Sequence, residues 1–304
     1  MLVESLQWSK PLRTRIAPTP SGFLHIGNAY SFVLTWLWSQ LHQAELLLRI
    51  DDADQQRIRP EYLEDIFYSL DFLGIVPSCG PSSVQEFLDK FSQTYREDLY
   101  QHAISLLKQQ NALFPCRCSR KQLQQNKLCT CLESPPQAES EQQTAWKLDT
   151  AQALALELRD WQAGTHHLHL HHLAPYPSIQ KRDGKAAYQL SSVIDDDFWG
   201  VNVIIRGADL WASTGIQLHL ANLLGKTEFQ HALFYHHPLI LSLNGEKLSK
   251  SKGDTSLHAY RQSASAAPIF RQIATFLQLP SAEKITNGQT LLDAAHTLEW
   301  PKIF

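Results

Sequence analysis

The sequence predicts an α/β protein: a doubly wound parallel sheet with an inserted cysteine-containing subdomain and a short helical C-terminal appendage. Three observations lead there. Residues 13 to 17 (RTRIA) have strand character, a Pro/Ser/Gly-rich turn follows, and Asn28 to His42 then places Phe32, Trp36 and other apolar residues at helical spacing. ELLLRI at 45 to 50 reads as a buried parallel strand, so the chain opens on a βαβ unit. Strand character returns around residues 188 to 205, in YQLSSVI and VNVIIR.

The elements between follow in order. Pro60 and Gly74 bracket an amphipathic helix over Glu61 to Leu73, and a further helix is expected from about Thr94 to Gln110. Four cysteines then crowd together, and Glu133 to Thr144 has the composition of a surface loop. Residues 1–111 are expected to form the first half of a nucleotide-binding core, 112–170 an insertion, 171–254 the second half, and 255–304 the helical appendage.

Composition bounds the function. With 304 residues and 43% apolar content the chain can bury a large core, and a net charge of -3 announces no polyanion partner, so any such partner must meet a local patch. Arg13, Arg15 and several prolines near the start argue against a signal peptide, and no run of apolar residues reaches membrane-spanning length, so the cytoplasm is the expected location. Five cysteines do not make a disulfide framework. Cys79 stands apart and is read as inert.

Two segments carry chemistry. APTPSGFLHIGNA, residues 17 to 29, lies between a strand and a helix, where backbone N–H groups and the helix dipole face a phosphate. Gly22 and Gly27 let the backbone come close, and His25 can donate to charge developing on an α-phosphate. Alone, the segment is equally an ordinary Pro/Gly loop. In NGEKLSKSKGD, residues 244 to 254, Lys247, Lys250 and Lys252 crowd one Gly-flanked loop that can clamp phosphates, or else forms a solvated turn. Their pairing at opposite ends of one α/β pattern favours adenylate chemistry.

Together the two segments closely resemble the H-I-G-H and K-M-S-K-S signatures of class I aminoacyl-tRNA synthetases, with Asn28 and Leu248 as departures. RIAPTPSGFLHIGNA, LLLRIDDAD, KRDGKAAYQL, the IDD at 194 to 196, VIIRGADL and HHPLILSLNGEKLSKSKG resemble successive blocks of the glutamyl-tRNA synthetase family, over about residues 13 to 257. The resemblance implies a class I synthetase Rossmann-type core. It also implies that Arg15 and Arg206 hold substrate carboxylates, with Thr19, Asp51 and Tyr188 completing the glutamate contacts. ATP would meet Pro18, His25, Gly27 and Asn28, and Lys247, Leu248, Ser249, Lys250 and Ser251 would close over its phosphates; His25, Lys247 and Lys250 would be the catalytic groups. Mg²⁺ is expected with the ATP. Asp51 stands where the family usually has glutamate, one methylene longer.

The short end after the lysine loop, the VIIRGADL block and the cysteine pair near 116 resemble the truncated paralogues, the glutamyl-queuosine tRNA(Asp) synthetases. That resemblance implies transfer of glutamate to the queuosine base at the wobble position of tRNA(Asp), an anticodon stem-loop as partner, no anticodon-binding domain, and a monomer. The alternatives are a minimal glutamyl-tRNA synthetase charging a tRNA 3′ end and a non-catalytic tRNA-binding paralogue. A small-molecule nucleotidyltransferase fits the RDG, YQL and RGAD blocks poorly.

Cys116, Cys118, Cys129 and Cys131 form two close pairs, a pattern that suits a structural, tetrahedral Zn²⁺, with reduced structural cysteines as the alternative. The family's own site is a Cys-x-Cys pair with a later tyrosine and cysteine, so four cysteines would be a variation on it. Arg117, Arg120, Lys121 and Lys127 either contact tRNA phosphates or are ordinary surface charges. THHLHLHH, residues 165 to 172, reads as an exposed or edge strand and not as a second metal site, and Asp195 to Asp197 reads as a turn near the active site with no catalytic role.

Overall fold

The computed structural model describes residues 11–118, 122, 129, 131, 132, 134, 144–150, 156–161, 164–239 and 256–296. Strand β1 (Arg13–Ile16) leads through the Pro/Gly turn into α1 (Ile26–Leu41), and β2 (Glu45–Leu48) returns parallel to β1 in the register Arg13 with Glu45 to Ile16 with Leu48. Helix α2 (Pro60–Phe72) starts on proline, whose missing N–H costs nothing there. The helix expected from Thr94 begins instead as α3 at Glu97 and runs to Gln109. Before it, Asp52 accepts the Gln93 N–H at 2.7 Å and Ser92 the Thr94 N–H at 3.2 Å, which pulls Gln93–Arg96 inward as a tighter 3-10 turn.

Strands β3 (Leu113–Cys116), β4 (Ala145–Leu148), β5 (Leu156–Asp160), β6 (Gly164–Leu168) and β7 (Ser178–Gln180) follow. Helix α4 (Tyr188–Phe198), β8 (Val203–Gly207), α5 (Trp211–Leu223) and β9 (Leu233–His237) return to the core. Helices α6 (Leu257–Ser263), α7 (Ala267–Phe276) and α8 (Gly288–His296) complete the described chain. β3, β4 and β7 make an antiparallel sheet, while β6, β5, β9 and β8 lie in that order, parallel across β5/β9 and β8/β9. β1 borders β8 as well as β2: Asn202 N–H donates to the Arg13 carbonyl at 3.1 Å, and Arg13 N–H to the Asn202 side chain at 2.9 Å.

Side chains along the parallel strands alternate between two hydrophobic clusters. Leu46, Leu48, Val203, Ile205, Leu233 and Tyr235 face one, with Trp38 of α1, Ile273 of α7 and Leu291 of α8. Leu47, Ile204 and Phe234 face the other, with Leu107 of α3, Val193 of α4 and Leu220 of α5. A sheet covered on both faces is the doubly wound arrangement the sequence predicts. Among the described residues no helix is long and apolar enough to cross a membrane.

Two expectations need correction. YQLSSVI is the start of α4, not a strand, because Leu190, Val193 and Ile194 recur at helical spacing and bury one face. Asp195 to Asp197, expected as a turn near the active site, are therefore helical, and Asp195 and Asp196 are buried there at ion pairs described below. The histidine tract is an edge strand through Leu168 and then becomes a helical turn at Leu170–Leu173.

Candidate active site

The two halves of the sheet meet between β1 and β8, and a crevice of about 310 Å³ opens beyond the carboxyl ends of their strands. That is where open α/β sheets bind ligands. Arg15, His25, Gly27, Asn28, Asp51, Tyr188 and Arg206 line it. A larger cavity of about 830 Å³ adjoins it, shares Asp51 and Tyr188, and takes in Thr19. Pro18 lies behind the crevice, its carbonyl accepting the Asp51 N–H at 2.9 Å.

His25 caps α1. Its Nδ1 accepts the Asn28 N–H at 3.2 Å, and the Asn28 side-chain oxygen accepts the His25 N–H at 3.0 Å, a reciprocal capping box. Asn28, the departure from H-I-G-H, thus satisfies the His25 N–H, while its own N–H is satisfied by the His25 ring. With Nδ1 accepting, the neutral imidazole carries its proton on Nε2 and can offer it to a ligand at the positive end of the helix. Gly27 is required by this fold-back: a Cβ there would fall 2.9 Å from the His25 ring.

Three buried arginines surround the crevice, and their partners differ. Arg49 holds Asp51 through Nε at 2.7 Å and also donates to Asp196. Arg15 donates to the same Asp196 oxygen at 3.1 Å. Among the described residues Arg206 bonds neutral groups only, Gln217 at 2.8 Å and Thr214 at 2.5 Å, and its Nε has no partner there. Burial works against charge on Arg49, yet the Asp196 and Asp51 carboxylates drive its pKa above the usual arginine value. The same burial, without a bonded carboxylate, lowers that of Arg206. Behind Arg206, Thr214 meets Nε2 of His236 at 2.6 Å, and Nδ1 of His236 meets Asp160 at 2.8 Å.

Asp195, next to Asp196 on α4, accepts from Arg96 at 2.8 Å, Tyr100 at 2.7 Å and Gln93 at 2.7 Å. It locks α4 to α3 and so fixes where Asp196 stands.

The sulfur atoms of Cys116, Cys118, Cys129 and Cys131 all lie within 4.8 Å of one another, with Cys116 to Cys129 at 3.4 Å, Cys118 to Cys129 at 3.8 Å and Cys118 to Cys131 at 3.7 Å. Four sulfurs at the 2.3 Å zinc–thiolate distance of a tetrahedron stand about 3.8 Å apart. The cluster fits a metal ion of that kind.

The described residues thus bring together Arg15, His25, Gly27, Asn28, Asp51, Tyr188 and Arg206 at one crevice and Thr19 at its border, while Lys247, Leu248, Ser249, Lys250 and Ser251 lie outside the described residues. A profile for the class I tRNA synthetase catalytic domain, E and Q type, matches residues 11–287. The chain belongs to this family. As a class I synthetase it is an ATP-dependent ligase. A Glutamyl-Q tRNA(Asp) synthetase of Nitratidesulfovibrio vulgaris is 31% identical over 272 residues, covering 82% of this chain and 81% of that one. A glutamate-tRNA ligase 2 of Syntrophus aciditrophicus is 31% identical over 84% of this chain but only 54% of its own length. A crystal structure of a glutamate tRNA ligase from Elizabethkingia meningosepticum superposes with a TM-score of 0.73 at 20% identity, over 93% of this chain and 64% of the other, which establishes the shared synthetase fold.

The sequence did not point to Asp195, Asp196, Arg49, Thr214, His236 and Asp160 as groups that line or brace the crevice. Asp196 lies 147 positions from Arg49, and His236 lies 76 from Asp160. Only the Arg-Ile-Asp-Asp and Ile-Asp-Asp blocks hinted at the first three.

Proposed function

We propose that the protein activates glutamate with ATP and transfers the glutamyl group to the queuosine base at the wobble position of tRNA(Asp). The observation that carries the acidic substrate is the buried charge at the crevice. Among the described residues Arg15, Arg49 and Arg206 stand against Asp51 and Asp196, three cations against two anions, and no carboxylate there bonds Arg206. A buried unpaired guanidinium is costly until an anion arrives. Glutamate, two carboxylates and one ammonium, supplies one net negative charge.

In this reading Arg15 and Arg206 hold the two carboxylates, and Asp51, Thr19 and Tyr188 complete the pocket. The α-carboxylate oxygen attacks the α-phosphorus, that P–O bond forms, the bond to the bridging oxygen breaks, and pyrophosphate departs with the electron pair. His25 donates from Nε2 to the charge that builds on the phosphate, Pro18, Gly27 and Asn28 shape its cradle, and Lys247 to Ser251 meet the leaving group. Mg²⁺ bound with ATP neutralises phosphate charge. An acceptor hydroxyl then adds to the acyl carbon, AMP leaves, and the hydroxyl proton passes to the departing phosphate. Positioning supplies most of the acceleration. Cys116, Cys118, Cys129 and Cys131 would hold a Zn²⁺ in a structural role, since four thiolates would leave no position open.

The choice of acceptor is supported by the likeness to a protein named Glutamyl-Q tRNA(Asp) synthetase over 81% of that protein's length. Glutamate-dependent exchange of pyrophosphate into ATP tests the first step, and its absence with and without tRNA would sink the enzyme reading. Labelled glutamate offered to tRNA(Asp) with and without queuosine tests the second. Labelling of both tRNAs alike would instead indicate charging of the 3′ end.

A further inference from the structure

Asp65 stands on the buried face of α2, with Leu63, Ile66, Ser69 and Leu70, and is 1% exposed. A carboxylate in such a place costs free energy unless its oxygens are met. Both are met, and by partners from opposite ends of the chain. Oδ2 accepts the Leu24 N–H at 3.1 Å, and Oδ1 accepts from Arg261 of α6 at 2.7 Å, across a sequence separation of 196 positions. Asp65 lines neither cavity of the site.

Around this carboxylate the His25 turn and the start of α6 are laced together. The Leu257 N–H donates to the Leu24 carbonyl at 2.7 Å, so the two backbone polar groups of Leu24 are bonded, one to Asp65 and one to α6. His25 and Ser256 form an antiparallel bridge beside it. On the other side of Leu24, Phe23 stacks on the His258 ring at 4.5 Å and meets Tyr62 of α2 edge-on at 5.1 Å. Arg261 is itself held: it donates to Ser69 at 3.1 Å and to Nδ1 of His258 at 3.1 Å, and it lies over the Tyr68 ring. Charge-assisted bonds are short and strong, so this anchor has little play. It serves both the turn that carries His25 and the helix the chain enters after the lysine motif.

We infer that Asp65 is a positioning residue for ATP: with Arg261 it sets where the Leu24–His25 backbone stands, and so where His25 meets the α-phosphate. His25 reaches the crevice as the N-cap of α1, so a shift of the Leu24 peptide carries the ring with it. A misplacement of about 1 Å costs as much as about a hundredfold in rate. The part given to His25 here rests on the function proposed above. The rival role for Asp65 and Arg261 is to fasten α6 to α2 and nothing more, in which case stability falls while the chemistry of the folded protein does not change.

Two variants of the full chain decide between these roles. Asp65→Asn keeps the shape and an acceptor for Leu24 while removing the ion pair; Arg261→Gln cuts the pair from its partly exposed side, where the risk to folding is smaller. Three quantities are read: KM and kcat for ATP and for glutamate in tRNA-free pyrophosphate exchange, the melting temperature, and the rise in melting temperature given by Mg–ATP. In each variant kcat/KM for ATP is expected to fall about tenfold to a hundredfold, with the glutamate KM unchanged and the Mg–ATP rise diminished. The double variant should be no worse than Asp65→Asn alone, because both changes break one bond, and Arg261→Lys should recover most of the rate. A kcat/KM for ATP within about twofold of the unaltered protein in both single variants overturns the inference, whatever their melting temperatures, as does an equal rise in the glutamate and ATP KM values. Absence of exchange in the unaltered protein is a different failure, that of the proposed function, and the Mg–ATP rise compared between the unaltered protein and each variant then decides on Asp65.

Discussion

The Thr214 hydroxyl lies 2.6 Å from Nε2 of His236, and through it a buried chain reaches the crevice. Burial lowers the His236 pKa, which keeps the ring neutral. Its Nδ1–H then donates to Asp160, its Nε2 accepts the Thr214 hydroxyl, and the Thr214 oxygen accepts from Arg206. Each bond fixes the polarity of the next, so Arg206 keeps its fork in one plane.

Thr214→Val keeps the volume and removes the oxygen that orients Arg206. The glutamate KM in pyrophosphate exchange is expected to rise about tenfold, or about 1.4 kcal/mol, with the ATP KM unchanged. Thr214→Ser should restore it. An equal rise in both KM values would mean that Thr214 supports the fold and not the arginine.

Gly27→Ala separates activity from stability. The added methyl meets the His25 ring at 2.9 Å, and since Asn28 holds Nδ1 the ring must give up its cap to move. Exchange should fall about tenfold to a hundredfold, in the range of losing one transition-state donor or slightly less. Alanine in the first turn of α1 favours the helix by up to about 1 kcal/mol, which offsets the similar cost of the lost cap, so the melting temperature should change little. A variant that loses both would show that the glycine serves packing.

What was legible in the sequence was what local pattern carries. β1, α1 and β2 fall within two residues of expectation because the Pro/Gly turn, the helical spacing and the apolar run punctuate them sharply. The residues that converge on the crevice could be named because they sit in short blocks around turns. YQLSSVI deceived because tyrosine, valine and isoleucine favour strands; Leu190, Val193 and Ile194 at spacings of three and four were the better signal. Thr214 and Asp160 were not legible at all, because what defines each is the hydrogen bond of a residue distant in the chain, and for Asp196 the Ile-Asp-Asp block gave only a hint.

Asp196 is shared by Arg15 and Arg49, and its side chain is 1% exposed. Asp196→Asn keeps the shape and leaves two buried guanidiniums with one carboxylate, Asp51, between them. Urea unfolding should show a loss of about 3 to 5 kcal/mol, the usual cost of breaking a buried pair from one side. A loss below about 1 kcal/mol would place the pair in the class of solvated surface bridges.

One zinc per chain is the result expected from metal analysis of the purified protein, because the sulfur spacing suits a tetrahedral ion. Cys129→Ser, at the buried centre of the cluster, should drop that content towards zero and lower the melting temperature. A strong chelator should give the same shift in the unaltered protein and none in the variant, because binding energy at such sites is folding energy.

Acid should destabilise the protein through its histidines. Burial lowers the pKa of His42 to about 4, and lowers those of His219, His236 and His237 as well, all from the usual 6.5. A histidine depressed in the folded state is neutral there while the unfolded chain takes up a proton below pH 6.5. Its contribution to stability is complete above that value and shrinks as pH falls towards the folded pKa. Urea midpoints measured from pH 7.5 to 5 should therefore be flat above about 6.5 and decline below it. His42→Gln removes one titrating group and should flatten the decline, and an unaltered slope in that variant would mean that carboxylates, not this ring, govern acid unfolding.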